Sequence, residues 1–365
     1  MGSSFVVFVG TLNREAPYFQ GARGKGLVVY GFDEQTLEIE TLAGAAEIEN
    51  PTYLSVDASG NHVYANWEIF GWKEGMISAY RFNRETNTLD YINSQPSLGS
   101  IAAHNMVSRD GSKLLVVNYS MGNGGPDQSV VVYSIRPDGG LTPAIASVTQ
   151  IGTGPDADRQ ERSHAHSVTE LLSDGLAVVA DLGADTLTTY RLAIDGSLAP
   201  IAVSKTAPGA GPRHVAVQPN GQNVIQINEH DTTITSFRLD PLSGTMAQID
   251  SQPAVPSEAR AINHCADIQI SPDGRFLYGS NRGHDSISTF AVDEASGKLA
   301  LVGYCSCGGA TPRNLAITPS GHHLFSANQN ADRISIFKRD LETGALTDTG
   351  RAIHVGTPMC VKFSR

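Results

Sequence analysis

The chain alternates between apolar and polar residues over short stretches, and these stretches recur in a fixed frame. Segments 51–66, 102–118, 212–228, 265–281 and 312–328 each contain an apolar alternation, a polar turn with glycine, a second β-rich run and a terminal asparagine. In all five, the first residue lies nine positions before the turn glycine. Alternation with a period of two, bounded by Gly, Pro, Asn and Asp, is typical of β-strands joined by tight turns.

A third and a fourth strand follow each of these strand pairs. A short loop leads from the asparagine to a β-rich stretch such as DSISTF (285–290) or DRISIF (332–337), and a second turn leads to a weaker fourth strand. Segment 166–181 fits the frame more loosely, with Asp181 in the asparagine position. Four strands in a unit of about 40 to 60 residues are typical of a propeller blade, so the repeats predict six blades.

The two ends of the chain predict a seventh blade. PMCVKF (358–363) matches a first strand, while FVVFVGT (5–11), GLVVYGF (26–32) and LEIETL (37–42) match a second, third and fourth strand. We therefore predict an all-β, seven-bladed β-propeller, formed as a single domain by residues 1–365. Its N- and C-terminal strands pair in one blade and close the ring, which leaves few sheet edges exposed. Two stacked β-sandwiches would not explain a repeat divided between the termini.

Composition narrows the class of protein. The 365 residues are 40% hydrophobic and 17% charged with 37 glycines, which indicates a turn-rich globular chain. A net charge of −11 argues against nucleic acid or an anionic membrane surface as a partner. The N-terminal apolar run is too short for a signal or membrane segment. We expect a cytoplasmic protein, a monomer or a weak homo-oligomer.

The cysteines fit a reducing compartment and do not indicate a metal site. Four cysteines in a chain of this length suggest no disulfide framework. Cys305 and Cys307 have the spacing of a ligand pair, but the sequence has no matching second pair. We therefore expect neither a structural zinc ion nor a cofactor.

Unusual polar residues stand where the inner strands begin or where the second strands end. Because inner strands line the channel of a propeller, these side chains should converge at one mouth. The asparagines and Asp181 are expected to bond to nearby backbone, whereas the histidines are either structural channel residues or substrate contacts. The positions concerned are His104, His164, His166, Arg213, His214, Asn228, Glu229, Asn281, Arg282, Arg313, Asn328 and Gln329.

The arginines among them are the hardest to explain structurally. A long cation beside a converging channel must be paired or hydrogen-bonded, because leaving it buried and unpaired costs several kcal/mol. Glu229 is the acid at an equivalent position nearby, and Glu68 is a second one. More cations than anions at this mouth indicate that an anionic ligand completes the charge balance.

The stretch DRQERSHAHSV (158–168) differs in composition from the strands around it. It ends the longest interval between successive turn glycines, Gly111 to Gly175, so we interpret it as an insertion that delivers His164 and His166 to the mouth. HAH in a strand places both rings on one side, as metal pairs require. No third histidine or paired carboxylate stands at an evident ligand spacing, so acid–base catalysis is favoured over metal binding.

Several motifs resemble one family in order and over nearly the whole chain. RQERSHAHSV (159–168), GAGPRHVAVQPNG (209–221), ADIQISPDGRFLYGSNRGHDSISTF (266–290) and PRNLAITPSG (312–321) resemble the seven-bladed propeller lactonase family. That family includes propeller-type 6-phosphogluconolactonases and the fungal 3-carboxy-cis,cis-muconate lactonizing enzyme. The resemblance implies lactone chemistry without a metal. It also implies a functional cluster of a histidine, two arginines and a glutamate, which falls by motif on His166, Arg213, Glu229 and Arg282.

Three functions follow as hypotheses. The first is hydrolysis of an anionic sugar-acid lactone, with 6-phosphogluconolactone as the leading substrate. His166 would be the general base, Arg213 and Arg282 would hold the anion and the oxyanion, and Glu229 would orient a neighbour. The second is the reverse direction, a cycloisomerase that closes a carboxylated muconate. The third is a non-catalytic, protein-binding propeller.

Further substrate contacts are expected around this cluster. They are His164, His104, His214, Arg313, Gln329, Trp67 and Glu68. The aromatic insertion NWEIFGWKEG (66–75), with Trp67, Trp72 and Lys73, would either cap the mouth or pack against a neighbouring loop.

Overall fold

The computed structural model describes residues 4–17, 19–45, 47–172 and 175–364. Within these ranges the chain forms seven four-stranded antiparallel sheets. One sheet is built from both ends of the chain, in the order β28 (Pro358–Ser364), β1 (Ser4–Thr11), β2 (Leu27–Asp33) and β3 (Glu38–Ala45). The predicted split blade is confirmed.

The other six blades follow in chain order, each from its innermost to its outermost strand. The second contains β4 (Leu54–Val56), β5 (His62–Trp67), β6 (Met76–Asn83) and β7 (Thr88–Pro96), and the third β8 (Ala102–Val107), β9 (Lys113–Asn118), β10 (Val130–Ile135) and β11 (Leu141–Val148). The fourth contains β12 (Ala165–Glu170), β13 (Leu176–Asp181), β14 (Thr186–Leu192) and β15 (Leu198–Lys205), and the fifth β16 (Pro212–Val217), β17 (Asn223–Asn228), β18 (Thr233–Leu239) and β19 (Met246–Pro253). The sixth contains β20 (His264–Ile270), β21 (Phe276–Arg282), β22 (Ser286–Val292) and β23 (Leu299–Ser306), and the seventh β24 (Pro312–Ile317), β25 (His323–Asn328), β26 (Arg333–Arg339) and β27 (Leu346–His354). Two 3-10 helices, Ser257–Ile262 and Gln329–Ala331, lie in connections.

The inner strands contact one another in a closed ring, β28, β4, β8, β12, β16, β20 and β24. The faces of neighbouring blades pack through buried aliphatic and aromatic side chains. Phe8 of the split blade meets Phe82 of the second blade edge to face at 5.8 Å, and Phe32 meets Phe325 of the seventh blade at 5.0 Å. The chain is therefore the predicted seven-bladed β-propeller. The described residues contain no helix long and apolar enough to cross a membrane.

The repeated turn glycines have a conformational reason. Gly60, Gly111, Gly221, Gly274 and Gly321 all have φ between 71° and 81°, the left-handed region that glycine enters without a steric penalty. The N–H of each donates to the carbonyl three residues earlier. In the looser copy, Ser173 and Asp174 of the turn lie outside the described residues.

The asparagines that end the second strands seal one blade to the next. Asn118 Nδ2 donates to the carbonyls of Ser97 at 2.7 Å and Gln128 at 2.9 Å. Asn281 and Asn328 likewise donate to carbonyls in the connection that precedes their blade. The sequence predicted backbone bonding by these residues, and Asn118, Asn281 and Asn328 do bond to backbone carbonyls. Asn228 differs, because its Nδ2 donates to the hydroxyls of Thr233 and Thr235 in its own blade.

Candidate functional site

A β-bulge near the start of the inner strands directs side chains toward one mouth of the channel. The ladder registers shift between the flanking residues of Ala103, His166, Arg213 and Arg313. A bulge inserts one extra residue and so changes the direction of its side chain. All four of these residues line a cavity of about 370 Å³.

Charge in this cavity is predominantly positive although the chain as a whole is acidic. Its lining includes four arginines and two glutamates, namely Arg159, Arg213, Arg282, Arg313, Glu68 and Glu229. The excess of cations that the sequence indicated is therefore present at one mouth. These residues come from different blades, and only closure of the ring brings them together.

Glu229 is the centre of the charged cluster. Its Oε1 accepts from Arg159 Nη2 at 2.9 Å, and its Oε2 accepts from Arg213 Nε at 2.9 Å and pairs with Arg282 Nη2 at 2.8 Å. Burial raises the pKa of this carboxyl, but the three guanidinium groups outweigh burial and hold its pKa well below the usual range. Glu229 is thus a carboxylate whose lone pairs already bind arginines, which suits it to orient them rather than to accept a proton.

The arginines keep donors for a ligand. Arg213 donates from Nε to Glu229 and from Nη1 to the Ala266 carbonyl at 2.6 Å. Arg282 donates from Nε and Nη2 to the carbonyls of His264 and Cys265. The hydrogen bonds within the described ranges therefore use neither Arg213 Nη2 nor Arg282 Nη1. Burial and the neighbouring Arg282 lower the pKa of Arg213, while Glu229 opposes them.

His214 accepts a hydrogen bond from Arg213 and so helps to fix the position of its guanidinium group. Its Nδ1 lies 2.7 Å from Asp267 Oδ1, and its Nε2 lies 3.3 Å from Arg213 Nη1. Since a guanidinium can only donate, Nε2 is the acceptor and Nδ1 carries the proton. Burial and Arg213 lower the pKa of His214 to about 4 despite Asp267. This imidazole is neutral and both of its nitrogens are engaged.

His166 lines the same cavity, and its imidazole makes no hydrogen bond to the described residues. The residue is 8% exposed and its Nδ1 is buried without a partner, so Nε2 is the nitrogen open to a bound water. Burial and the neighbouring Arg213 lower its pKa well below the ordinary histidine value, so it is neutral at neutral pH. A neutral imidazole with a free lone pair can accept a proton from a bound water.

Two other predicted histidines lie outside the cavity lining. His104 stacks on Tyr53 at 3.9 Å and faces a second cavity of about 480 Å³, further along the inner strands. His164 precedes β12, stacks on Tyr119 at 4.0 Å and donates from Nδ1 to the Tyr119 carbonyl at 2.8 Å. The bulge at His166 separates the two rings of the HAH motif, so they do not form the side-by-side pair that regular alternation predicts.

Trp67 and Gln329 are also directed away from the lining. Trp67 donates from Nε1 to Ser78 Oγ at 2.8 Å and stacks with Trp72, and Gln329 donates to Asn330 Oδ1. The aromatic insertion instead contributes Phe70 to the cavity wall. The predicted substrate contacts of these residues remain predictions, without a position in the cavity to support them.

Arg313 and Glu68 face the cavity as the sequence indicated. Arg313 Nη2 is 3.9 Å from Glu68 Oε1, a long ion pair, while Glu68 Oε2 accepts from Thr52 Oγ1 at 2.6 Å. Of the four cavity arginines, Arg313 has the longest separation from a carboxylate among the ion pairs of the described residues.

The sequence interpretation missed several lining residues. Arg159 was part of the unusual stretch 158–168, and that stretch does deliver a charge to the mouth, but the charge is Arg159 and not His164. Tyr119, Ile101, Met121 and Met359 line the wall as well. Ile101 directly precedes β8 and Tyr119 directly follows β9, so these two could have been found from their positions in the repeat.

The geometry can hold an anion and deprotonate a water beside it. Preorganised guanidinium donors around a neutral imidazole form a site that stabilises developing negative charge on oxygen. Within the described ranges, no group of three His, Cys, Asp or Glu side chains is placed to hold a metal ion.

Fold and site together define a propeller with a cationic, histidine-bearing cavity at one mouth. The chain belongs to the lactonase family of seven-bladed β-propellers, whose model, described as "Lactonase, 7-bladed beta-propeller", matches residues 6–363. It is 30% identical over 361 residues to the 6-phosphogluconolactonase of Bacillus subtilis, with 99% of each chain covered. It is 32% identical over 316 residues to the 6-phosphogluconolactonase of Formosa agariphila, with 85% of each covered.

A solved structure supports the same assignment. The periplasmic gluconolactonase PpgL of Pseudomonas aeruginosa superposes with a TM-score of 0.89 at 29% identity, covering 100% of this chain and 99% of that one. At this level of identity the likeness extends beyond the bare fold.

Proposed function

We propose that the protein hydrolyses the ester bond of an anionic sugar-acid lactone, with 6-phosphogluconolactone as the leading substrate. The observation that carries this proposal is the free, neutral imidazole of His166 in a cavity lined by four arginines. The names of the Bacillus and Formosa relatives support the same substrate.

The proposed reaction begins with a water activated by His166. The imidazole takes a proton as the water oxygen attacks the lactone carbonyl carbon, which leaves a tetrahedral intermediate with a negatively charged oxygen. The ring carbon–oxygen bond then breaks, and the imidazolium returns its proton to the departing ring oxygen. The product is an open hydroxy acid, and lactone plus water balance with it.

The arginines divide the negative charges between them. Arg213 is held by Glu229, Ala266 and His214, and its side chain is the most buried of the four, so we assign its remaining Nη2 to the oxyanion. Arg282 and Arg313 would bind the remote anionic group, and Arg159, with its side chain 43% exposed, would close over that group from the rim. Glu229 would keep three of these cations at fixed spacing.

The test is hydrolysis of 6-phosphogluconolactone, measured by acid release in weak buffer after subtraction of spontaneous opening. Loss of a positioned general base reduces a rate by about 10²- to 10⁴-fold, so His166→Gln should lower kcat toward the background while KM changes little. His62→Gln, on β5 and bonded to Asp57, is the matched control and should keep normal turnover.

Two results would contradict the proposal. Turnover near that of the unmodified protein in a folded His166→Gln variant would exclude the histidine as the base. A rate abolished by prolonged dialysis against a chelator and restored by a divalent cation would contradict metal-independent hydrolysis, which we also propose. A cytoplasmic location and a monomeric or weakly associated state remain predictions; all four cysteines are free in the structure.

A further inference from the structure

The two halves of the cavity wall differ in chemistry, because the arginines lie on one side and the apolar side chains on the other, and the order of blades around the ring places these sides face to face. The fourth to seventh blades and their connections contribute a charged arc, Arg159, His166, Arg213, Glu229, Arg282 and Arg313. The split, second and third blades contribute the apolar side chains, Met359, Phe70, Ile101, Ala103 and Met121, which we call the apolar arc, together with Thr52, Tyr53, Tyr119 and one carboxylate, Glu68. Because the inner strands contact one another in sequence around the channel, consecutive blades on one side face consecutive blades on the other.

The polar groups of the apolar side are already bonded within the protein. Tyr53 Oη accepts from Lys362 Nζ at 3.1 Å, and Thr52 Oγ1 donates to Glu68 at 2.6 Å. These groups therefore offer little to the several hydroxyls of an unsubstituted sugar lactone. Phe70 and Met121 line the cavity and are 41% and 40% exposed, so their apolar surface is accessible to a ligand.

Ile101 contributes a nearly buried apolar side chain to this wall, at a backbone position that recurs in other blades. It has φ 56° and is 7% exposed, in a backbone conformation that is unfavourable for a β-branched residue. The same repeat position has positive φ at Asn50, Gly211, Thr311 and Thr357. In all five blades its carbonyl accepts from the N–H that follows the second strand, as Tyr119 N does from Ile101 at 2.8 Å. The backbone shape belongs to the repeat, so the isoleucine side chain is the feature particular to this blade.

We propose that this apolar arc is a subsite for a hydrocarbon substituent, so that the protein also accepts lactones that carry both an anionic group and an alkyl or aryl group. The inference rests on the proposed lactone hydrolysis for its chemistry, but the subsite itself is a binding property. 6-Phosphogluconolactone would use the charged arc alone, whereas a lactone with a hydrocarbon substituent across from its anion would use both arcs.

Binding of non-hydrolysable anions tests the subsite without relying on turnover. We would measure dissociation constants by calorimetry for methyl, propyl and pentyl phosphate and for 6-phosphogluconate. Each methylene buried against the apolar arc should tighten binding by about fourfold until the subsite is filled. Pentyl phosphate should therefore bind at least tenfold more tightly than methyl phosphate, and 6-phosphogluconate should not share this gain.

Two variants at the same repeat position test whether the gain in affinity along the alkyl series depends on Ile101. Ile101→Asn keeps a residue that tolerates positive φ, as Asn50 does at the same repeat position, but replaces the apolar wall with a polar one. Thr311→Asn introduces asparagine at the same repeat position, at φ 58° in the seventh blade, where the side chain lies outside the cavity lining of the described residues. Ile101→Asn should remove most of the gain along the alkyl series and leave methyl phosphate unchanged, while Thr311→Asn should preserve the gain.

The outcomes separate the subsite from the proposed reaction. Equal affinity for all three alkyl phosphates, or an equal loss for every ligand in Ile101→Asn, would overturn the subsite. A chain-length gradient that disappears in Ile101→Asn would establish it, even if no lactone were hydrolysed, in which case the hydrolysis proposal alone would fail.

Discussion

Three histidines within a few ångströms of each other show how surroundings decide the role of one residue type. The rings of His104 and His166 each lie 5.4 Å from the ring of His214. His214 is engaged at both nitrogens, His104 is stacked on Tyr53, and only His166 combines an unengaged nitrogen with a place in the cationic cavity. The hydrogen bonds of each histidine, rather than its presence in a motif, therefore decide which of the three can act as a base.

The same histidines predict a pH-dependent stability. Burial lowers the pKa of all three, so below the ordinary histidine pKa near 6.5 the unfolded chain binds protons that the folded chain does not. The free energy of unfolding should therefore fall as pH drops below about 6.5. For His214, with a pKa of about 4, this amounts to about 3 kcal/mol between pH 6.5 and 4.

Denaturant unfolding at pH 7, 6 and 5 measures this effect. His104→Phe keeps a ring on Tyr53 and removes one titrating group, so the slope of unfolding free energy against pH should decrease by up to about 1.4 kcal/mol per pH unit below pH 6. The exposed His322→Phe is the control. An unchanged slope in His104→Phe would show that His104 does not stay neutral in the folded protein.

At the scale of single residues the sequence predicted the central cluster but not its edges. His166, Arg213, Glu229 and Arg282 lie together because they occupy equivalent positions of a repeat, and a repeat can be aligned by eye. Arg159 lies in the connection between β11 and β12, which no repeat position describes. That connection is held by tertiary bonds such as Gln160 Nε2 to the Leu182 carbonyl at 2.8 Å, which no local pattern encodes.

At the scale of the element, the bulge accounts for most of the differences between pattern and site. Regular alternation would place Arg213 and Val215 on the same face of β16. The register shift between Pro212 and His214 breaks this alternation. Arg213 therefore lines the cavity at the mouth, while His214 also reaches the second cavity further along the channel. Bulges depend on backbone pairing rather than on a distinctive residue, and the sequence therefore does not reveal them.

Asn118, at the end of a second strand, ties the third blade to the connection that precedes it. Asn118 is fully buried and its side-chain amide donates to two carbonyls. In Asn118→Ala these carbonyls lose their donor inside the protein, which costs about 1–3 kcal/mol for a buried unsatisfied group. Asn123→Ala, at an exposed asparagine whose Nδ2 donates to Trp72, should cost much less.

Chemical denaturation of both asparagine variants tests the sealing role. The midpoint for Asn118→Ala should decrease with an unchanged denaturant slope, because the extent of the buried surface is the same. Equal midpoints for the two variants would mean that the buried amide contributes no more than a surface hydrogen bond.

At the scale of the whole molecule, the sequence predicted the number of blades and the closure of the ring, but it could not predict the shape of the cavity at the mouth. The repeats, and the division of one repeat between the termini, were sufficient to predict seven blades and closure. The order of the blades determines which side of the cavity is charged and which is apolar. This can be seen only once the bulges show which side chains line the cavity. Global charge gave no guide to the site, since a chain of net charge −11 concentrates four arginines in one cavity.

Closure of the ring depends on β28, which pairs with β1 from Val6–Ser364 to Gly10–Cys360. Met359, Cys360 and Val361 are at most 1% exposed, and burying each is worth about 1.5–3 kcal/mol. Their loss, together with the β1–β28 hydrogen bonds, is comparable with a typical total stability of about 5–15 kcal/mol. A chain truncated before Pro358 should therefore lose cooperative folding and aggregate through the newly open edge of β1.

A circular permutant distinguishes two contributions to ring closure, namely the buried side chains of β28 and the division of one blade between the two termini. Val6 and Ser364 are neighbours in the ladder, so a short linker can join the ends, and new ends placed in the connection between β3 and β4 leave every blade continuous. This permutant keeps all buried side chains and should unfold cooperatively, but at lower denaturant than the parent, because no strand pair then ties the first blade to the last. A truncated chain that remained a cooperatively folding monomer would show that the inner strand is dispensable. A permutant as stable as the parent would show that division of a blade between the termini is not what holds the ring closed.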